Sequence, residues 1–570
     1  MDEAFSRGRD YDGFAAVRPR CVGPRRRRGG VMAIRERETD ILIVGGGTGG
    51  VAAAMAATAM GARVILTEPT AWLGGQLTSQ AVPPDEHPWI EHFGCTRRYR
   101  AFRNGVRAYA RAHLPLTTAA RDNALLNPGL GMVSRLCHEP RTALAVLDAM
   151  LSSARTLGLL ETWHHVEPVA ARTDGDRVTS VTLLDHHNGE RVEVHARFIL
   201  DATELGDLLA LGGIEHVSGA ESHTETGEPH AVSGPAQPEN VQGFTHCLAV
   251  GLDRTPGANH VIARPAQYDQ WRNYVPRLNP AWPGRMLAWT YSHPVDLSPR
   301  TPVLLPEEAH DTGTFSLWTY RRIIAAANYA PETSPEEVTI VNWPQNDFIE
   351  GSLIDVTPEA RTAALEGAKH LSLSLLYWMQ VDAPRPDGGT GYPGLRPRGD
   401  VTGTADGLAM APYIRESRRI RAQTTITELH VGAACRGVAR GAPGVGEVFA
   451  DSVGVGSYRI DLHPSTGYDN YVDIDSLPFT IPLGALLPVR VRNVVAAGKN
   501  LGTTHVTNGC YRLHPVEWNI GEAAGLLAAH CLATNTEPHA IRVDPNALAD
   551  FQALCVRHGF ELAWPTVHAV

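Results

Sequence analysis

One stretch constrains this chain more than any other. Asp40 opens an apolar run, Ile41–Val44, that meets the glycine-rich turn Gly45–Gly50; an alanine-rich segment follows, and a second apolar run, Arg63–Thr67, ends on Glu68. The order reads strand, turn, helix, strand, acid. Gly45, Gly47 and Gly50 keep the G-x-G-x-x-G spacing. The first glycine allows the tight turn, the second lets backbone approach a pyrophosphate, and the third lets helix and strand pack closely. Free N–H groups at the helix start face the phosphates. Glu68, 18 residues past Gly50, stands where an acid accepts hydrogen bonds from ribose hydroxyls. The pattern predicts a βαβ unit that binds a dinucleotide.

With 570 residues, 43% hydrophobic and 20% charged, the chain can bury two or three domains' worth of core. A net charge of −10 argues against a nucleic-acid partner. No run of 18 apolar residues exists, so no membrane span is expected. The eight cysteines are scattered without any C-x-x-C, which argues against an iron–sulfur cluster, structural zinc or a local redox disulfide; no metal is expected, and free thiols in a reducing cytoplasm fit best. The first residues carry Arg25–Arg28 but no apolar stretch after them, so they read as a disordered extension over 1–37, and Met32 is a possible start.

The dinucleotide domain is expected to begin at 38 and run to 215. It contains helices near 95–113 and 141–158, then a meander of strands Glu161–Ala171, Arg177–Leu184 and Arg191–Leu200 turning at Asp174-Gly175 and Asn188-Gly189. Residues 216–400 are rich in proline and tryptophan and weakly periodic, as an inserted domain that shapes a pocket. Residues 401–480 mix cap and pocket elements, 481–532 return to the first pattern, and 533–570 form a tail. The second G-x-G, Gly444 to Gly446, lacks a strand before it and a helix after it, so one dinucleotide is expected.

Three separated blocks resemble the FAD-dependent oxidoreductases with a glutathione-reductase-type FAD domain, in the branch that includes flavin subunits of heterodisulfide reductase. They are Ile41–Gly50 with Glu68 and Gly74-Gly75-Gln76; Ile199–Leu208, with Ala202 and Thr203; and Asn493–Gly525, with Gly498 and Asn500. The resemblance implies an α/β fold: a discontinuous Rossmann-like FAD/NAD(P)-binding domain with an inserted α+β substrate domain. It implies FAD rather than NAD, held also by Val166, Val516 and Asn519. In the family, the amino terminus of a late helix points at the flavin carbonyl edge and stabilises negative charge there. That helix could start at Pro515, or at Asn519 with Glu522 as a capping box. Two positions depart from the family. Glu204 stands where glycine is usual, and Lys499-Asn500 replaces Arg-Asp or Gly-Asp. The four-cysteine motifs of the relatives are absent, so their iron–sulfur chemistry is not carried over.

A flavin enzyme must place a C–H bond and handle one proton. His505 and His514 flank Thr507–Arg512 in the last block and are the candidate bases; hydrogen bonding to the flavin or its loop is the alternative role for both. Arg418 could clamp a carboxylate or pair with acids of the core. Tyr458, His463, Asn508 and Arg512 are candidate pocket residues, with Asn342-Trp343 and Asn346-Asp347 behind them. The expected activity is oxidation of a small polar molecule by hydride transfer to flavin, with oxygen or another diffusible acceptor. A flavin-dependent C=C reductase and a non-catalytic flavin-binding subunit are the alternatives. Oligomeric state is left open by the sequence.

Overall fold

The computed structural model describes residues 35–309, 311 and 313–569. Most of the extension, including Met32, lies outside them. Residues 35–37, expected in the extension, instead form the first rungs of β1 (Arg35–Val44), which pairs in parallel with a later strand from Arg35 onward. Only Ile41–Val44 of β1 is fully buried, which is why the sequence signal began there.

The turn after β1 leads into α1 (Thr48–Ala59) and β2 (Val64–Glu68). Alanine and glycine dominate α1, and all but its last residue are buried; a helix apolar all round belongs inside. Next come α2 (Arg97–His113) and α3 (Pro140–Thr156). Thr96 caps α2 by accepting from Tyr99 N, and Pro140 sits in the first turn of α3, where a missing N–H costs nothing.

The expected strand Glu161–Ala171 is in fact two. β3 (Leu160–His164) pairs in parallel with β2, and β4 (Val166–Asp174) turns away to pair antiparallel with β5 (Arg177–Asp185). His165, at φ +58°, makes the break; alternation continues across it, so hydropathy alone could not show it. β6 (Arg191–Asp201) then runs beside β1.

The insert builds its own core around an antiparallel sheet. Its strands are β7 (Leu248–Leu252), β8 (Arg322–Ile324), β9 (Val338–Val341) and β10 (Leu395–Pro397), in the order β8-β9-β7-β10. The 24-residue helix α4 (Pro358–Val381) and buried Trp271, Trp282, Trp289, Trp318, Trp343 and Trp378 join this second core.

β11 (Ser452–Gly456) and β12 (Phe479–Pro482) pair antiparallel. The chain then returns to the first domain. β13 (Val494–Ala496) adds to β6 in parallel, α5 (His505–Tyr511) follows, and α6 (His514–Thr534) lies against α1. A Cβ on Gly521 would come within 2.0 Å of Gly49 O, and one on Gly525 within 2.1 Å of Ala53 O. Glycine on α6 is thus what brings the two backbones together. The tail is no loose end: α7 (Pro545–Arg557) buries Phe551 and Cys555. Among the described residues no helix is long and apolar enough to cross a membrane, no His/Cys/Asp/Glu group could hold a metal ion, and all cysteines are free.

Candidate functional site

Three distant segments meet at the glycine turn. Gly45 has φ +102°, and a Cβ there would lie 2.2 Å from Ala202 O; at Gly50 it would lie 1.9 Å from Gly45 O, and at Gly49 1.9 Å from Ala497 O. The end of β6, the end of β13 and the start of α6 therefore all press on Gly45–Gly50. Glu68 ends β2 buried beside the turn and accepts from Thr70 N at 2.8 Å and Thr70 Oγ1 at 2.6 Å. Burial pushes its carboxyl up to about 7, against the pull of those two bonds. A Cβ on Gly75 would sit 2.8 Å from Gly47 Cα, so the Gly74–Gln76 segment also closes on the turn. Val166 begins β4 just beyond the strand paired with β2.

The surrounding acceptors suit FAD. Gln76 Oε1, Asp201 Oδ2, Asn500 Oδ1 and Asn508 Oδ1 are buried without a donor, and each such acceptor costs about 1–3 kcal/mol unless something supplies one. Ribose and ribityl hydroxyls and the flavin imide N–H are donors of that kind. Asp201 is itself organised: its Oδ1 accepts from Thr203 N and Oγ1, burial raises its carboxyl to about 7, and Asn500 Nδ2 donates to its carbonyl at 3.1 Å. One place departs from this fit. Glu204 Oε1 lies 2.7 Å from the position a Cβ of Gly47 would take and 2.9 Å from that of Gly75, and Glu204 is ion-paired to buried Lys499. A carboxylate thus stands over the glycines that a pyrophosphate would approach. Glu517 shares the same lysine at 3.5 Å and, buried, has its carboxyl raised to about 7; a Cβ on Gly498 would lie 3.5 Å from its Oε1.

α6 starts at His514 with Pro515 in its first turn, which settles the two expected starts. Asn519 and Glu522 are interior to the helix and form no capping box. Asn519 ties α6 to β11, donating to Val453 O at 3.2 Å and accepting from Val455 N at 3.4 Å, and Glu522 bonds Thr96, Arg98 and Trp518. Val516 packs against Gly456, where a Cβ would meet its Cγ2 at 2.7 Å.

A cavity of about 200 Å³ opens between the two domains, lined among others by Asp85, Arg321, Tyr413, Tyr458, His463 and Arg512. Arg512 joins it to the glycine turn: its carbonyl accepts from Gln76 Nε2 at 3.0 Å, while its guanidinium donates to Tyr413 OH and Asp461 O, both at 3.0 Å. His463 stands on the wall with Nδ1 2.6 Å from Asp347 Oδ2 and Nε2 3.5 Å from Asp461 Oδ2. Asp347 is fully enclosed and also meets Arg415 at 2.9 Å and Thr245 Oγ1 at 2.6 Å. Burial alone would raise its carboxyl, but Arg415 and His463 outweigh that and hold it low. An ionised Asp347 takes the proton on Nδ1, and Nε2 faces Asp461 across 3.5 Å.

The other expected chemical residues lie elsewhere. His514 is completely buried and lines no described cavity wall; its Nδ1 accepts from Asp85 N at 3.0 Å, and burial drives its pKa down to about 3. His505 lines a second cavity of about 320 Å³, with Nδ1 3.0 Å from Glu416 Oε1. Burial lowers its basicity, but Glu416 more than offsets this and the ring's pKa is raised. Arg418 pairs with Asp355 at 2.9 Å and Asp207 at 3.4 Å and donates to Leu205 O, the core-pairing alternative. Asn508 is buried in α5 and donates to Lys499 O, away from the cavity wall. Tyr458, His463 and Arg512 do converge there. Asp85, Arg321 and Tyr413 also line it, and nothing in the sequence singled them out. They come from three loops whose neighbours have no period.

No curated protein matches this chain. Among solved structures it is similar to the L-proline dehydrogenase of P. horikoshii (14% identity over 33% of this chain and 25% of that one, TM-score 0.16). It is also similar to an E. coli quinol fumarate reductase (12% identity, 92% of this chain, 74% of that one, TM-score 0.31) and to the myxobacterial chondrochloren halogenase (12%, 91% and 79%, TM-score 0.32). The chain thus spans a quarter of the length of the dehydrogenase. The sequence model of one family, described as FAD dependent oxidoreductase, matches residues 40–553, and the chain belongs to that family.

Proposed function

We propose that the cavity between the domains is where this oxidoreductase oxidises a small polar molecule at a carbon bearing O or N, with His463 taking the proton. The Asp347–His463 pair carries this reading. A buried carboxylate fixes one ring nitrogen and so aims the other at the cavity, where Asp461 at 3.5 Å would stabilise the ring once it carries the proton. FAD, when bound, would supply the two-electron acceptor for the hydride. Gly45, Gly47 and Gly50, with Gly74 and Gly75, would let the backbone approach the cofactor. Glu68 would hold its ribose, and Gln76, Asp201, Asn500 and Asn508 its remaining donors. Val166, Ala202, Thr203, Gly498 and Val516 would line the seat. Arg512 spans both sites and would fix the distance between cofactor and substrate. A diffusible molecule such as oxygen would then take the electrons.

His463→Gln should leave FAD content intact and slow anaerobic flavin reduction by about 10²–10⁴-fold, with the substrate drawn from whichever metabolite fraction bleaches the loaded protein. Unchanged single-turnover reduction would remove His463. A second reading, reduction of a C=C bond, is favoured by the guanidinium groups of Arg321, Arg415 and Arg512 on the cavity wall. Photoreduced protein that regains its yellow colour with an unsaturated acid in the absence of air would select it.

A further inference from the structure

We infer that the substrate of this cavity carries a carboxylate, seated on the wall formed by Arg300 and Arg321. The inference rests on the cavity being the substrate site. It comes from an imbalance between the cavity's two sides. On the side of the FAD domain the arginine charges are matched: Arg512 lies 3.2 Å from Asp461, and Arg459 pairs with both Asp473 and Asp475. Across from them, Arg321 is almost wholly buried and among the described residues bonds only Asp85, through Nη1 at 3.4 Å, whereas Arg512 has two further bonds at 3.0 Å. Arg300 has no carboxylate partner within 4 Å among the described residues; it meets the Tyr291 hydroxyl and lies over an aromatic ring. A guanidinium taken out of water with a loose counter-ion is costly until an anion completes it.

The same wall is stiff. Arg300 lies over the Phe315 ring at 4.4 Å, Phe315 meets Tyr320 at 5.2 Å, and Arg321 lies over Tyr320 at 5.0 Å. Rings that hold the faces of two guanidiniums leave their edges for ligand oxygens, the geometry a carboxylate matches in bidentate fashion. Around the cavity, Arg321 Nε, Arg415 Nε, Arg512 Nε, Asn342 Nδ2, Trp343 Nε1 and Tyr471 OH are buried donors without acceptors. Six stranded donors in one lining call for a ligand rich in acceptors. Asp85, Asp461 and Asp473 share that lining, which favours one negative charge over the two of a phosphate.

Titration of the FAD-loaded protein with acetate, succinate and benzoate, against acetamide, succinamide and inorganic phosphate, tests the class. Flavin absorbance and tryptophan fluorescence report binding, since Trp343 is in the wall. Carboxylates should bind at least about tenfold tighter than their amides, a 1.4 kcal/mol preference. Arg321→Met should erase the preference and Arg321→Lys should restore part of it. Equal binding of amides, tighter binding of phosphate, no response to any carboxylate, or a preference that survives Arg321→Met would overturn the inference. If Arg321→Met loses FAD, Arg300→Met takes its place and must weaken carboxylate binding; an unchanged affinity there would equally overturn it. A carboxylate that binds but never reduces the flavin leaves the class standing and defeats the oxidation. Bleaching by a neutral molecule, indifferent to Arg321→Met, does the reverse.

Discussion

The glycine turn and the cavity beside it are built on opposite plans. At the turn, backbone meets backbone: Gly45, Gly49 and Gly50 have no room for a Cβ because Ala202 O, Ala497 O and Gly45 O lie about where it would be. At the cavity, charged side chains pair around one opening: Asp85 with Arg321, Asp347 with Arg415 and Asp461 with Arg512. A site made of backbone contacts tolerates almost no substitution and so writes itself into the sequence as glycine. A site made of side chains can draw on any loop that ends nearby. The first plan fixes a large invariant ligand; the second can be retuned one residue at a time.

The contrast breaks most sharply at Gly50. Gly50→Val puts two more carbons beyond a Cβ already overlapping Gly45 O, which exceeds the 1–3 kcal/mol of ordinary overpacking. Loss of both FAD and a cooperative melt is expected; a variant that keeps both would show that the turn yields. Next comes Glu68→Ala, expected to weaken FAD retention by about 1–3 kcal/mol, seen as cofactor lost on dialysis. Full occupancy would mean that Glu68 meets no ribose.

Glu204→Gln should act the other way and by less. Removing a charge from above Gly47 and Gly75 should tighten FAD binding by about 1 kcal/mol, read by fluorescence quenching on titrating apoprotein. Weaker binding would show that Glu204 helps to hold the cofactor. The smallest effect concerns pH. Glu68 is raised to about 7 when folded, so its protonated form stabilises the apoprotein fully below about pH 4.5, and that share is lost as pH rises through 7. Glu68→Gln should flatten the melting-temperature slope between those limits; an identical slope would remove Glu68 from it.

Much of the cofactor region was legible because its causes are local. Glycine spacing, the apolar runs Ile41–Val44 and Val494–Ala496, and the Ala/Gly helices each follow from steric limits a few residues long. The break at His165 was not legible, since one residue in the left-handed region leaves the hydropathy alternation intact. Nor was the insert's sheet, whose short strands lie up to 149 residues apart in sequence, from Leu248 to Pro397.

The chemical residues divide in the same way. His505 and His514 stood out because they flank a block that resembles a known family. Yet a ring's role depends on what surrounds it in space: Asp347, 116 residues away, orients His463, whereas His514 is sealed by Asp85 from 429 residues away. By itself the sequence determined the dinucleotide fold and the acid that ends its second strand; where α6 begins, the sequence left between two positions. Which histidine faces the cavity, and how each arginine of its wall is paired, only the folded chain decided, because burial and charge pairing are properties of neighbours that the linear order does not contain.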